Sequence, residues 1–265
     1  MYFDSHAHYD DKRYDNDRDM LLISLPGSGV DFIVNAGADM RSTAYGIKLA
    51  EKYSFVYAAA GVHPHAAKEL TEEKLARIKK TAAHPKVVAI GEIGLDFYYD
   101  HSPRDVQRYW FNRQLDLALE LGMPVIIHSR ESARECCDVV KKYAAKGLRG
   151  VVHCYSGGAE MAMEYVDMDF YVGIGGVLTF PNARQLLRAA EVLPMERILL
   201  ETDCPYLSPA PFRGERNDSR NLRFIAEKLA EIKCIKTEDA AKITKDNAMK
   251  LFFNQKNIAN MLQKC

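Results

Sequence analysis

Short apolar runs alternate along this chain with longer segments whose apolar residues recur every three or four positions. Runs such as DFIVNAG, FVYAAAGV, KVVAIGEIGLD, PVIIHSR, GVVHCYSG, FYVGIGG and RILLETDCP have the length and β-branched content of buried strands. Strands are expected to end near residues 5, 36, 62, 93, 128, 154, 175 and 202, with amphipathic helices between them. The clearest helix lies between the fourth and fifth strands. Ser102 is placed to cap it, Pro103 suits its first turn, apolar positions repeat from Val106 to Leu121, and Gly122 can end it.

Strand and helix alternating eight times is the pattern of βα units around a parallel sheet, and eight units fit a closed (β/α)8 TIM barrel better than an open doubly wound sheet. From about Thr237 to Cys265 further helical segments follow, expected to close the base or side of the barrel. With 265 residues, 48% of them hydrophobic, and no linker, repeat or low-complexity stretch, one domain over residues 1–265 is expected.

Lys plus Arg equals Asp plus Glu at 36 each, so no global positive field draws in a long duplex polyanion, and any nucleic-acid footprint is short and local. The start, MYFDSHAHYDD, has no basic-then-apolar leader, and no stretch reaches the ~20 apolar residues that span a bilayer. The reading is a soluble cytoplasmic protein without membrane contact and with no obligate protein partner evident. Six cysteines, at 136, 137, 154, 204, 234 and 265, lack CxxC spacing and read as free thiols in a reducing compartment.

Where the apolar runs stop, residues that metals favour appear: His6, His8, Glu92, His128, His153 and Asp203. Two apart on one strand, His6 and His8 point the same way and form a bidentate clamp. Strand ends one, four, five, six and eight converge only in a closed ring, which again favours the barrel. Six ligands exceed the three or four that one catalytic ion takes while keeping an open position, so two divalent ions sharing a carboxylate are expected, with Glu92 as the bridge. Such a site polarises an ester or phosphoryl oxygen and acidifies a bound water, without a serine or cysteine nucleophile. Strand alternation turns Cys154 and Cys204 outward as small core residues. Asp96 and Glu201 are expected to orient ligands or brace backbone. His84 and His101, in loop-like contexts, read as surface residues.

The motifs FDSHAH, GVHPH, GEIGLDFYYD, HSR, HCYSGG, LTFPNA and ETDCPYL, in this order over nearly the whole chain, resemble the TatD family of metal-dependent deoxyribonucleases, similar in turn to the amidohydrolase superfamily. The resemblance implies a (β/α)8 barrel and hydrolysis of DNA phosphodiesters by a metal-activated water, often from 3′ ends. By motif, His6 and His8 with Asp203 would hold one ion, His128 and His153 the other, and Glu92 would bridge them. Asp203 would also orient the attacking water and accept its proton. In GVHPH, His63 reads as a donor to the scissile phosphate and His65 as an orienting or substrate-facing residue. Arg130 could contact phosphate or close a rim salt bridge.

The segment CPYLSPAPFRGERNDSRN exceeds the usual connection length and suggests a binding loop, with Arg213 and Arg216 as phosphate contacts and Arg220 as a solvated charge. Relatives commonly read RGKRNEP here; Glu215 stands in place of the lysine and Ser219 in place of the proline. Phe97, Tyr98 and Tyr99 either stack on unpaired bases or pack under their loop. Four imidazoles suit zinc, manganese or nickel, whereas the resemblance brings in magnesium. DNA ends or single-stranded DNA are the expected substrate. An esterase or phosphatase acting on a small molecule is the alternative within enzymes, and a non-catalytic metal-binding protein the alternative outside them.

Overall fold

A computed structural model describes residues 1–253. Its eight strands are β1 (Tyr2–Ala7), β2 (Val30–Ala36), β3 (Val56–Ala60), β4 (Val87–Asp96), β5 (Val125–Arg130), β6 (Gly150–Val152), β7 (Tyr171–Ile174) and β8 (Ile198–Leu200). All neighbours pair parallel in chain order. Beyond β8 the chain pairs back onto β1: the Asp203 N–H donates to His6 O at 2.9 Å and the His8 N–H donates to Cys204 O at 2.8 Å. This short ladder closes the ring as a TIM barrel, and it sets Asp203 beside His6 and His8.

Helices cover the outside. α1 (Arg18–Ser24), α2 (Met40–Lys52), α3 (Glu72–Ala82), α4 (Arg104–Leu121) and α5 (Ala133–Ala144) are followed by α6 (Ala159–Asp167), α7 (Arg184–Val192), α8 (Leu222–Lys233) and α9 (Thr237–Phe252). Inside the barrel, every strand supplies at least one side chain (Phe3, Val34, Ala59, Val88 with Ala89, Ile126, Val151, Tyr171 and Leu199), and these pack with Ala248, Leu251 and Phe252 of α9. The expected closure of the base is therefore made by α9, while the part of the tail beyond Phe253 lies outside the described residues. Plugged at that end by apolar volume, the barrel leaves only its opposite, C-terminal mouth for chemistry.

α4 runs as the sequence suggests, ending at Gly122 in the left-handed region at φ 63°. Its start differs. Pro103, not Ser102, is the residue at the N-cap, and the buried Ser102 hydroxyl donates to His65 O at 2.9 Å and accepts the Lys68 N–H at 3.1 Å. Ser102 is still in loop conformation and faces the turn at Pro64–Glu69, so it braces a neighbouring loop instead of the helix. Two buried glutamines of α4 act similarly. Gln114 pairs with both Val62 N–H (2.8 Å) and Val62 O (3.0 Å), and Gln107 with Asp96 N–H (2.9 Å) and Asp96 O (3.0 Å). A helix thus fixes the ends of β3 and β4, where polar side chains face the mouth.

Candidate metal centre

Glu92 sits in the middle of this mouth, buried, with its two carboxylate oxygens turned to different partners. Oε2 lies 3.3 Å from His6 Nε2 and 3.7 Å from His8 Nε2; those nitrogens are 3.1 Å apart and stand 3.7 and 3.4 Å from Asp203 Oδ1. Oε1 lies 2.9 Å from His128 Nδ1, 2.8 Å from His153 Nε2 and 3.4 Å from His63 Nε2. Donors on a tetrahedral ion at about 2.1 Å stand about 3.4 Å from one another. Both groups have that spacing, and the sets His6–His8–Asp203 and His63–Glu92–His128 are each close enough to hold an ion.

Which nitrogen of each imidazole is free follows from what the other one touches. His8 Nδ1 lies 3.1 Å from Ala36 O, a pure acceptor, so the proton is on Nδ1 and the Nε2 lone pair faces the centre. His128 Nε2 lies 3.1 Å from Asp96 Oδ2, which leaves Nδ1 for the centre. His63 is the reverse case. Its Nδ1 accepts the His65 N–H at 3.1 Å, so a neutral ring keeps its proton on Nε2, the nitrogen turned to Glu92. His63 is thus set up as an N–H donor at the rim of the donor set.

His6 and His153 stack at 4.0 Å between ring centroids, each with a buried Nδ1 that has no hydrogen-bond partner. Glu201 lies beneath them. Its Oε1 accepts the Cys154 N–H and stands 3.9 Å from His153 Nδ1, while Oε2 is unpartnered. Burial pushes the Glu201 carboxyl up to about 8, which favours its neutral form beneath these rings. Burial opposes ionisation of Glu92 too, yet the surrounding imidazoles, His153 and His63 foremost, hold it well below the usual carboxylate range. A buried carboxylate facing five imidazoles needs cations, and inward-facing lone pairs need an acceptor of electrons. The residues present fit divalent metal on both counts.

Asp96 supports one side of this centre. Oδ2 is shared by His65 Nε2 (2.8 Å) and His128 Nε2 (3.1 Å), and Oδ1 accepts the Tyr98 and Tyr99 N–H groups at 3.0 and 2.9 Å. Burial works against its charge, but the His128 bond, the Tyr99 N–H and the His65 bond hold it ionised. His65 is thereby tied to the centre through Asp96, and its ring also meets His101 edge-on at 4.7 Å. His101, read from sequence as an unpartnered surface residue, stacks on Tyr99 at 5.4 Å. His84, in contrast, is away from the mouth, 3.3 Å from Glu51.

The basic residues separate. Arg130 stacks on Tyr98 and Tyr99, its Cζ 4.2 and 4.7 Å from their centroids, and Arg213 lies over Phe180 at 4.3 Å. Neither has a carboxylate partner among the described residues. Arg216, expected to bind phosphate, is instead held by Asp17 through bonds of 2.7 and 2.6 Å, and Arg220 by Asp218. Asp17 and Arg216 are 199 positions apart, so no local pattern announces the pair. Ser219 donates to Asp4 Oδ2 at 2.6 Å and meets Tyr9 Oη at 2.8 Å, while its N–H donates to the same Tyr9 oxygen. A proline there would lose both the hydroxyl and the N–H.

Cys204 is buried among Ala7, Tyr9 and Tyr14 on the helix side, as alternation predicts. Cys154 is not. It is half-buried, in the left-handed region at φ 47°, and its thiol, raised by burial, is next influenced by Asp203, Glu201 and Glu92. β6 ends at Val152, so alternation has already lapsed by residue 154.

A closed parallel barrel with polar donors converging at its C-terminal mouth defines a metal-dependent hydrolase. The family described as TatD related DNase matches residues 3–253, and the chain belongs to it. It is similar to the metal-dependent hydrolase YabD of Bacillus subtilis (42% identity, 95% of this chain and 99% of the relative). It also resembles the 3′-5′ ssDNA/RNA exonuclease TatD of Cronobacter turicensis (32%, covering 94% and 97%). Among solved structures, the TatD homologue YJJV of Escherichia coli K12 superposes with a TM-score of 0.88 at 29% identity, over 95% of this chain and 98% of that one. No helix among the described residues is long and apolar enough to cross a membrane.

Proposed function

We propose that the protein is a deoxyribonuclease that hydrolyses phosphodiesters, trimming 3′ ends or single-stranded tails with two divalent ions. The observation that carries this reading is the division of Glu92, one oxygen facing His6, His8 and Asp203 and the other facing His128 and His153. Two ions held there would polarise a phosphoryl oxygen and supply a nucleophilic hydroxide near neutral pH.

The chain's own residues do the rest. Asp203, whose side chain keeps 17% exposure, is open to a water on the mouth side and accepts its proton at the carboxylate. His63, with its proton on Nε2, donates to a non-bridging phosphoryl oxygen as negative charge grows there. Arg130 and Arg213, free of carboxylates, bind phosphates on either hand, and His65 faces the substrate from its bond to Asp96. Arg216 is not needed for this role. Support for nucleic acid comes from the exonuclease relative and from these two uncommitted guanidinium groups.

The test is cleavage of an end-labelled single-stranded DNA oligonucleotide with added manganese, zinc, nickel or magnesium, comparing the protein with Asp203→Asn. Expected is metal-dependent shortening from the 3′ end, lost by about a hundredfold or more in the variant. Intact oligonucleotide with every metal, alongside turnover of a small phosphate ester, would replace the nuclease reading with a small-molecule one.

A further inference from the structure

Large aromatic side chains are exposed at two places on the mouth, and each place carries an arginine. On the β4–β5 side, Tyr98 and Tyr99 are 58% and 47% exposed and share the Arg130 guanidinium. Phe97 differs: it is half-buried and covered by Arg104 and Arg108 at 4.6 and 5.1 Å. On the β8–β1 side, Tyr206 is 42% exposed, with Arg13 over its ring at 4.2 Å and its hydroxyl on Asp11 at 3.1 Å.

These two places flank the donor cluster. Tyr206 meets the His8 ring edge-on at 6.3 Å, and His8 faces Glu92 Oε2. Tyr99 meets His65 edge-on at 5.3 Å, and His65 leads through Asp96 to His128, which faces Glu92 Oε1. A contact path therefore runs from Tyr206 through His8, Glu92, His128, Asp96 and His65 to Tyr99, with the carboxylate at its middle. A polymer lying across Glu92 meets an aromatic–arginine pair before it and another after it.

We propose that Tyr98, Tyr99 and Arg130 on one side and Tyr206 with Arg13 on the other are stacking platforms for the unpaired bases flanking the scissile phosphate of a single-stranded nucleic acid. The inference rests on the nuclease reading above and extends it to substrate form. Tyr98 and Tyr206, each with a guanidinium over one face, still offer aromatic surface to a base, Tyr99 with His101 stacked on it buttresses Tyr98 edge-on, and a stacked arginine remains able to bond phosphate. Bases inside a duplex have both faces covered by their neighbours, so two platforms select unpaired strands. Stacking ignores the 2′-hydroxyl, so the platforms themselves do not distinguish DNA from RNA strands. A small phosphate ester would use neither platform.

The experiment compares a single-stranded oligonucleotide with two others, one abasic on the 5′ side and one abasic on the 3′ side of the bond to be cut. It uses the metal-loaded protein, Tyr98→Ala/Tyr99→Ala, Tyr206→Ala and Tyr206→Phe, with methyl p-nitrophenyl phosphate as a base-free diester. For the unaltered protein KM is expected to rise about 5- to 160-fold on each abasic strand, the range that loss of one base–aromatic contact produces. Each alanine variant should lose the penalty, to about twofold or less, on one of the two abasic strands and keep it on the other, the two variants losing opposite ones, while Tyr206→Phe, which keeps the ring, keeps both. An unaltered protein indifferent to both abasic strands, or alanine variants that keep both penalties, would overturn the platforms while leaving the nuclease reading standing. Turnover of the small diester with no cleavage of any oligonucleotide would overturn that reading and the platforms with it.

Discussion

Replacing Asp96 by asparagine tests whether a residue outside the donor set controls it. Asp96 Oδ1 accepts two backbone N–H groups, from Tyr98 and Tyr99, so the amide oxygen of an asparagine must take that place. The NH2 group then points at His65 Nε2 and His128 Nε2, where the carboxylate had accepted at 2.8 and 3.1 Å. A donor facing a donor drives the His128 proton to Nδ1, the nitrogen that looks toward Glu92. The opposite amide rotamer is worse, because NH2 would then face two N–H groups. Loss of a carboxylate behind a metal-binding histidine weakens metal affinity about 10- to 100-fold. That corresponds to about 1.4–2.7 kcal/mol, within the range for removing a charge-assisted hydrogen bond. Metal affinity is measured by competition with a fluorescent chelator, and the His128 tautomer by nitrogen NMR in the metal-free protein above about pH 10, where the ring is neutral. Affinity within about twofold of the unaltered protein, with the proton still on Nε2, would refute the tautomer argument.

Two further outcomes are expected. Burial works against charge on His8 and His128, but Asp203 and Glu92 raise the first to about 10, and Asp96 and Glu92 raise the second to about 9. At neutral pH the metal must displace these protons, so affinity should tighten by up to about tenfold per displaced proton for each pH unit gained; a flat isotherm series from about pH 6 to about pH 8 contradicts this. The same raised values stabilise the metal-free fold below the unfolded histidine value of about 6.5, and that stability is lost as pH rises through about 9 to 10. Ser219→Ala removes the 2.6 Å bond to buried Asp4, whose carboxyl burial already lifts to about 6, and should cost about 1–3 kcal/mol in urea unfolding. A loss under about 0.5 kcal/mol would show that Thr202 alone satisfies Asp4.

Much of the barrel was legible in the sequence because the signals are local. A strand buried on both faces writes itself as an apolar run, and β1 through β8 fall where those runs are. The residues ending the runs, His6, His8, Glu92, His128, His153 and Asp203, were legible for the same reason: strand ends open onto the mouth. His63 was legible as chemistry, but only its bond from the His65 N–H separates a donor from a ligand. Ser102 misled because a serine before a proline reads as a cap, while its hydroxyl turns to His65 O. Cys154 misled because alternation holds only within a strand.

The sequence by itself determined the order of strands and helices, the polar residues at their ends and the near-absence of net charge, all properties of neighbours along the chain. Only the tertiary structure decided which oxygen of Glu92 faces which histidines, that Asp96 and Glu201 stand behind them, that Arg216 is spent on Asp17 while Arg130 is free, and that Tyr206 and Tyr99 lie on opposite sides of the centre. Those relations join residues far apart in sequence, and closure of the ring sets their distances.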